Sequence, residues 1–354
     1  MPLMWKRYHK LEVKLNVTIK DIAKHAGVGL STVSRAINNS GYVSEETKNK
    51  IEKAIVELNY IPNIFAKNLP TGGSNVVGVV IPDINNPFFG KIIKGIASVL
   101  DNANLYMILS DTDENIKKEL KSLAMLRGQM IKGLLITPTS DKNKFNSEYL
   151  RLLETKGIPI VLIDRDVKGS KFDGVFLDNV KGAYEATEAL IKEGHEKIAI
   201  ITGLLTSKPG RDRLKGYKKA LKINNIEVDK SLILKGDFKE KSGYDLTNKI
   251  LKLENRPTAI FTSNNLMTLG SIRSLIENNI KIGEKMSLIG FDEIEILNSL
   301  SLNISVVSRP TKEMGRIASE ILLERLNYKK NNDKIKRVIL SPKLLLKGSE
   351  KIKS

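Results

Sequence analysis

The stretch LSTVSRAIN at 30–38 gathers three hydroxyls, an arginine and an asparagine into little more than two helical turns. A 3.6-residue period turns Val33, Ala36 and Ile37 to one side and leaves Ser31, Thr32, Ser34, Arg35 and Asn38 on the other. Short polar side chains let a helix approach another surface closely. A guanidinium adds a planar fork that matches the paired O6 and N7 acceptors of guanine. The chemistry suggested is recognition of a base edge.

A second set of residues follows apolar, β-branched runs further along. VVIP leads to Asn86, Phe88 and Phe89, and VLID supplies Asp164 with Arg165 after it. IITG leads to Arg213, LILKG to Phe238, IFTS to Asn264, LIGF to Asp292 and SVVS to Arg309. In open α/β sheets ligands sit beyond the carboxyl ends of the strands, so these side chains converge if the runs are parallel strands. Aromatic rings stack on the apolar faces of a pyranose or furanose, while carboxylates, amides and guanidinia bond adjacent hydroxyls in pairs. The set suits a small sugar.

Other chemistries fit poorly. DTDEN at 111–115 starts like a calcium loop, but Ile116 stands where glycine is required and Ser122 where a bidentate glutamate is required. His9, His25 and His195 lack metal-ligand spacing, and no P-loop, GxGxxG or GxSxG occurs. No enzyme, cofactor or metal is expected. With no cysteine, disulfides and thiolate metal sites are excluded, in keeping with a reducing, cytoplasmic setting.

The elements that must carry these residues are legible in outline. Thr18 caps a first helix with Asp21 three residues on and Ile19, Ile22, Ala23 and Ala26 inward, and Gly27 stops it. Ser44 caps a third, with Glu45 and Glu46 at its positive end and Ile51, Ala54, Ile55 and Leu58 inward, before Pro62. Two helices joined by a tight glycine turn, the second polar and exposed, describe a helix-turn-helix. From residue 76, nine apolar runs alternate with helical patterns, from VVGVVI to ISVVS, which implies two doubly wound parallel-sheet subdomains. None approaches the ~20 residues of a membrane helix, and the basic start has no apolar stretch behind it. The net charge of +18 suits a polyanionic partner, although residues 1–70 hold only +5 of it (11 Lys and Arg against 6 Asp and Glu).

TIKDIAKHAGVGLSTVSRAINNSGYVSEETKNKIEKAIVELNYIPN resembles the DNA-binding headpiece of the LacI/GalR family of bacterial repressors, with VSEET, LNYIPN and NNPFF as its most specific markers. The likeness runs from Thr18 to about Gly348. It implies a small all-α headpiece joined to a periplasmic-binding-protein-like α/β core, acting as a homodimer on a palindromic operator in double-stranded DNA. The implied divisions are an extension at 1–17, a headpiece at 18–62, a hinge helix and linker at 63–75, and an effector-binding and dimerisation domain at 76–348. Carried over, the DNA contacts are Thr18, Leu30, Ser31, Thr32, Ser34, Arg35, Asn38, Tyr42, Ser44 and Thr47. NIFAKNL resembles the hinge helix, which places Asn63, Ala66 and Lys67 in the minor groove and Leu69 as a wedge.

The core is similar to ribose-binding members at NNPFF, DR, RDRLKGY and GFD, which implies Asn86, Phe88, Phe89, Asp164, Arg165, Arg213, Phe238, Asn264 and Asp292 as effector contacts and a pentose as effector. The other reading within the family is a catabolite-control regulator that docks a phosphorylated carrier protein. Four positions depart from the pattern: Gly29, Lys67, Asn265 and Arg309, the last where glutamine is usual. A guanidinium in a desolvated cleft needs an anion. Asp164 or Asp292 supplies it, the reading favoured here, or else the effector is a sugar phosphate or sugar acid. The short ending LLLKGSEKIKS leaves no room for a tetramerisation helix, so a dimer is expected.

Overall fold

A computed structural model describes residues 17–38, 40–60, 74–141, 144–169, 171–327 and 334–351. All but the last residue of the expected extension, and the hinge positions Asn63, Ala66, Lys67 and Leu69, lie outside the described residues. The chain divides into two compact units, Met1–Ser74 and Asn75–Ser354.

The first unit holds α1 (Ile19–Ala26), α2 (Leu30–Asn38) and α3 (Glu45–Glu57). Thr18 and Asp21 form a reciprocal capping box at the start of α1, with the Thr18 N–H donating to Asp21 Oδ2 at 2.9 Å. Gly27 ends the helix at φ 65, a left-handed turn that glycine adopts without strain. Ile22, Ala23, Val33, Ile51 and Ala54 form the buried core of the three helices.

The second unit contains twelve strands among its described residues, in two six-stranded sheets. The first lobe orders its sheet β11-β5-β4-β3-β1-β2, with β1 (Val76–Ile81), β2 (Tyr106–Asp111), β3 (Gly133–Ile136), β4 (Ile160–Ile163), β5 (Asp173–Leu177) and β11 (Arg337–Leu340). The second lobe repeats the pattern as β12-β10-β9-β8-β6-β7, with β6 (Ile198–Thr202), β7 (Ile233–Lys235), β8 (Ala259–Thr262), β9 (Ser287–Phe291), β10 (Ser305–Ser308) and β12 (Lys343–Leu345). Every described pairing is parallel except the edge pair β10–β12. The nine expected runs together with the short LILKG account for all but β11 and β12: each of these two is short and partly exposed at a sheet edge, so neither makes a continuous apolar run.

Central strands are buried on both faces, as parallel sheets require. Val77, Val79 and Ile81 of β1 join one core while Val76 and Val80 join the core beneath. Around the first sheet lie α4 (Pro87–Asn102), α5 (Ile116–Gly128), α6 (Lys144–Thr155) and α12 (Thr311–Asn327); α7 (Asn179–Lys192), α8 (Lys208–Ile223), α9 (Glu240–Leu251), α10 (Asn265–Glu277) and α11 (Glu295–Ser299) belong to the second. At the α4–α12 crossing, a Cβ on Gly95 would lie 2.1 Å from the Lys312 carbonyl oxygen, and one on Gly315 2.1 Å from that of Ile92. The chain passes between the lobes after β5, after β10 and after β11. No described helix is long and apolar enough to cross a membrane, and no described cluster of residues suits a metal ion.

Candidate functional site

On the headpiece, Leu30, Ser31 and Arg35 are exposed along α2, and Tyr42 is 89% exposed in the turn after it. Thr32, Ser34 and Asn38 are half-buried, and the Asn38 amide donates to Ser34 Oγ at 3.4 Å. The hydroxyls of Thr18 and Ser44 serve as helix caps, and Ser44 Oγ also donates to Thr47 Oγ1 at 2.8 Å. The Arg35 guanidinium makes no hydrogen bond or ion pair among the described residues, and two acids of α3 are engaged with other partners: Glu46 with Lys50 at 2.8 Å and Glu57 with His25 at 2.8 Å. The outer face of α2 therefore presents a cation with its donors available.

In the second unit, all ten positions read as effector contacts line one cavity between the lobes: Asn86, Phe88, Phe89, Asp164, Arg165, Arg213, Phe238, Asn264, Asp292 and Arg309. Asp164 follows β4 at φ 63 and Asp292 follows β9 at φ 75; their N–H groups donate to Val175 and Val307 carbonyls, both at 2.8 Å. These are equivalent places in the two lobes, and the left-handed turn, which aspartate tolerates, brings each carboxylate to the cavity wall. Phe238, at φ 72, is a bulkier residue in the same region, where side chains are strained, and its carbonyl accepts from the Asn264 amide at 2.8 Å. Its ring lies where a Cβ on Gly203 would be, 1.8 Å away, so only glycine fits at 203.

The cations differ in how they are held. Arg165 grips Glu114 with two parallel bonds of 2.7 and 2.6 Å, and its buried Nε has no partner among the described residues. Arg213, 2% exposed, bonds the Asn179 amide oxygen at 2.8 Å and the Ser263 carbonyl, and stacks 3.8 Å from the Phe291 ring centroid. It has no ion pair among the described residues; burial, aided by the charge of Arg309, lowers its pKa to about 9, which still leaves it protonated at neutral pH. Arg309 bonds Asp164 Oδ1 at 2.9 Å and both oxygens of Asp292, and stacks 3.6 Å from the Phe88 centroid.

The cavity also uses Asp83, Glu114, Pro209 and Lys239, which the residue-by-residue reading passed over although three of them follow strands in the same way. Glu114 sits inside DTDEN, and Lys239 directly follows Phe238. Several contacts join the lobes at the rim: Lys239 with Asp83 at 2.9 Å and Asp113 at 3.0 Å, Lys91 with Glu295 at 2.7 Å, and Arg211 with Asp141. Asn265 donates to Asn86 Oδ1 at 2.9 Å, so the asparagine that departs from the family pattern is also a tie between lobes.

Comparison with known proteins matches two family models. "Bacterial regulatory proteins, lacI family" covers residues 18–63, and "Periplasmic binding proteins and sugar binding domain of LacI family" covers 74–348. The HTH-type transcriptional regulator DegA of Bacillus subtilis (strain 168) is 33% identical over 335 residues, spanning 95% of this chain and 98% of DegA. The lac repressor dimer bound to operator and the anti-inducer ONPF superimposes with TM-score 0.80 at 26% identity, over 95% of this chain and 99% of that one. A LacI family transcriptional regulator from Enterococcus faecium with bound ribose gives TM-score 0.67 at 26% identity, over 76% of this chain and 96% of that one.

Proposed function

The chain belongs to the lacI family of bacterial regulatory proteins and is a DNA-binding transcriptional regulator, and on that basis we propose that it is a homodimeric repressor of a palindromic operator, controlled by a small sugar-type effector. The carrying observation is the cavity itself. Aromatic rings, paired carboxylates, amides and buried guanidinia meet between two lobes, which is the mixture that binds a polyhydroxylated ring. The ribose bound by the E. faecium relative favours a pentose within that class.

For DNA, the proposal assigns base reading to Arg35 and close approach to Leu30, Ser31, Thr32, Ser34 and Asn38, with Thr18, Tyr42, Ser44 and Thr47 at the backbone. Support comes from the exposed face of α2 and the available donors of Arg35. The hinge contacts Asn63, Ala66, Lys67 and Leu69 rest on the resemblance alone.

The test is a thermal-shift screen of pentoses, hexoses and their phosphates on the full chain, followed by operator binding with each hit. A ligand at 100 times its dissociation constant stabilises by about 2.7 kcal/mol. A sugar that both raises the melting temperature and changes operator affinity supports the reading. If every sugar fails while a phosphorylated carrier protein changes operator affinity, the catabolite-control reading replaces it.

A further inference from the structure

The centre of the cleft is taken by a side chain of the protein. Arg309 sits where the chain passes from β10 to α12, and it is 8% exposed. Its Nη1 donates across the cleft to Asp164 of the first lobe at 2.9 Å, while Nε and Nη2 donate to the two oxygens of Asp292 in the second, the latter at 2.5 Å. Its plane lies 3.6 Å from the centroid of Phe88. One guanidinium thus engages both carboxylates and an aromatic face that a sugar ring would use. The volume left open to the centres of water-sized molecules is small, about 30 Å³.

We propose that Arg309 is a built-in occupant of the effector cleft, which ties the two lobes together through Asp164 and Asp292 and admits a neutral sugar only when it is displaced. The physical case rests on competition. A guanidinium brings a full positive charge to the two carboxylates and grips Asp292 with a bidentate fork, neither of which a neutral hydroxyl can match. A tethered group also loses no translational freedom on binding, so its effective concentration far exceeds that of a free sugar. Removing the arginine strands two buried carboxylates, which the first lobe and the second each contribute. A ligand that must expel Arg309 binds with its affinity multiplied by the small fraction of molecules in which the arginine has left. The rim contacts of Lys239 and Lys91 join the same lobes by the chain's own charges.

Because the chain has no cysteine, paired labels can be placed cleanly. Ile84 in the first lobe and Ile296 in the second are 53% and 61% exposed; spin labels on I84C and I296C, diluted with unlabelled protein, report lobe separation in the full chain. Without sugar, the wild-type background is expected to give one short distance, and Arg309→Ala a population several ångströms longer. Methylguanidinium, which refills the seat between Asp164, Asp292 and Phe88, should restore the short distance, and methylammonium should not. Asp164→Asn, which keeps an acceptor there but removes the charge that pairs with Arg309 across the cleft, is the second variant should the alanine protein not fold. Identical distances in wild type and both variants overturn the proposal. The sugar arm rests on the function proposed above: Arg309→Gln should bind ribose at least tenfold more tightly than wild type by calorimetry. A change in distance with no ribose binding in any variant would remove the pentose and leave the occupant standing, whereas equal ribose affinity in wild type and Arg309→Gln would show that the arginine excludes nothing.

Discussion

Arg35 and His195 show how far a single side chain carries an argument. Arg35 is exposed on α2 and its guanidinium has no partner among the described residues, so its fork is available to a base. Arg35→Ala should cost about 1–3 kcal/mol on the operator and relax the preference at one base pair. Competition with operators altered one pair at a time checks this, and an equal loss on every sequence would make Arg35 a phosphate contact. His195 is 2% exposed; its Nδ1 lies 2.8 Å from Thr258 Oγ1 and its Nε2 3.0 Å from the Glu350 carbonyl. A neutral ring meets both, donating to the carbonyl and accepting from the hydroxyl. Burial lowers its pKa, against the opposing pull of the Glu350 carbonyl. The unfolded chain takes up this proton near pH 6.5 while the folded one resists, so folding stability is present above that pH and falls as pH drops below it. His195→Gln keeps a donor and an acceptor without titrating. Its urea midpoint should fall less between pH 7.5 and 5.5 than that of wild type; equal falls would refute this.

At the scale of elements, two glycines of α4 make opposite predictions. Gly90 is exposed with nothing within 4 Å of a built Cβ, whereas the Cβ of Gly95 would meet a backbone oxygen of α12 at 2.1 Å. Gly90→Ala should be neutral or stabilise by about 0.4–1 kcal/mol through the unfolded state, and Gly95→Ala should destabilise by about 1–3 kcal/mol. Thermal denaturation of the pair checks the helix crossing, and matching effects would disprove it. Elements with strong periodicity were legible in the sequence: the cap of Thr18 with Asp21, the stop at Gly27, and the central strands with continuous apolar runs. The edge strands β11 and β12 were not, because partial exposure mixes a lysine or an arginine into their runs. In the cleft, residues just after strands were legible. Glu114 was hidden by its likeness to a calcium loop, and the shared grip of Arg309 on Asp164 and Asp292 depends on a contact across 145 residues of chain.

The whole molecule carries +18, and only a fraction of that charge lies in residues 1–70. Phosphate neutralisation makes DNA affinity fall with salt at about 0.9 log units per contact for each log unit of salt. Operator affinity measured by fluorescence anisotropy between 50 and 200 mM salt should therefore drop about 10³–10⁵-fold for 6–10 contacts, while effector affinity for the second unit should change little by comparison. A flat salt response for the operator would contradict the proposed DNA reading.

The first lobe is discontinuous in sequence, and that fact bears on how the protein is made. Its sheet needs β11 at Arg337–Leu340 beside β5, and the apolar face of α4, with Ile92, Ile96 and Leu100, needs Met314, Ala318 and Leu322 of α12. On the ribosome, strands β1 to β5 emerge early but wait through the synthesis of the intervening lobe before either partner exists. Domains normally fold as they are synthesised, from the amino end. Here the lobe that begins first is completed only after most of the second lobe has been synthesised, and its bare α4 face is a surface in need of a chaperone's cover in the meantime.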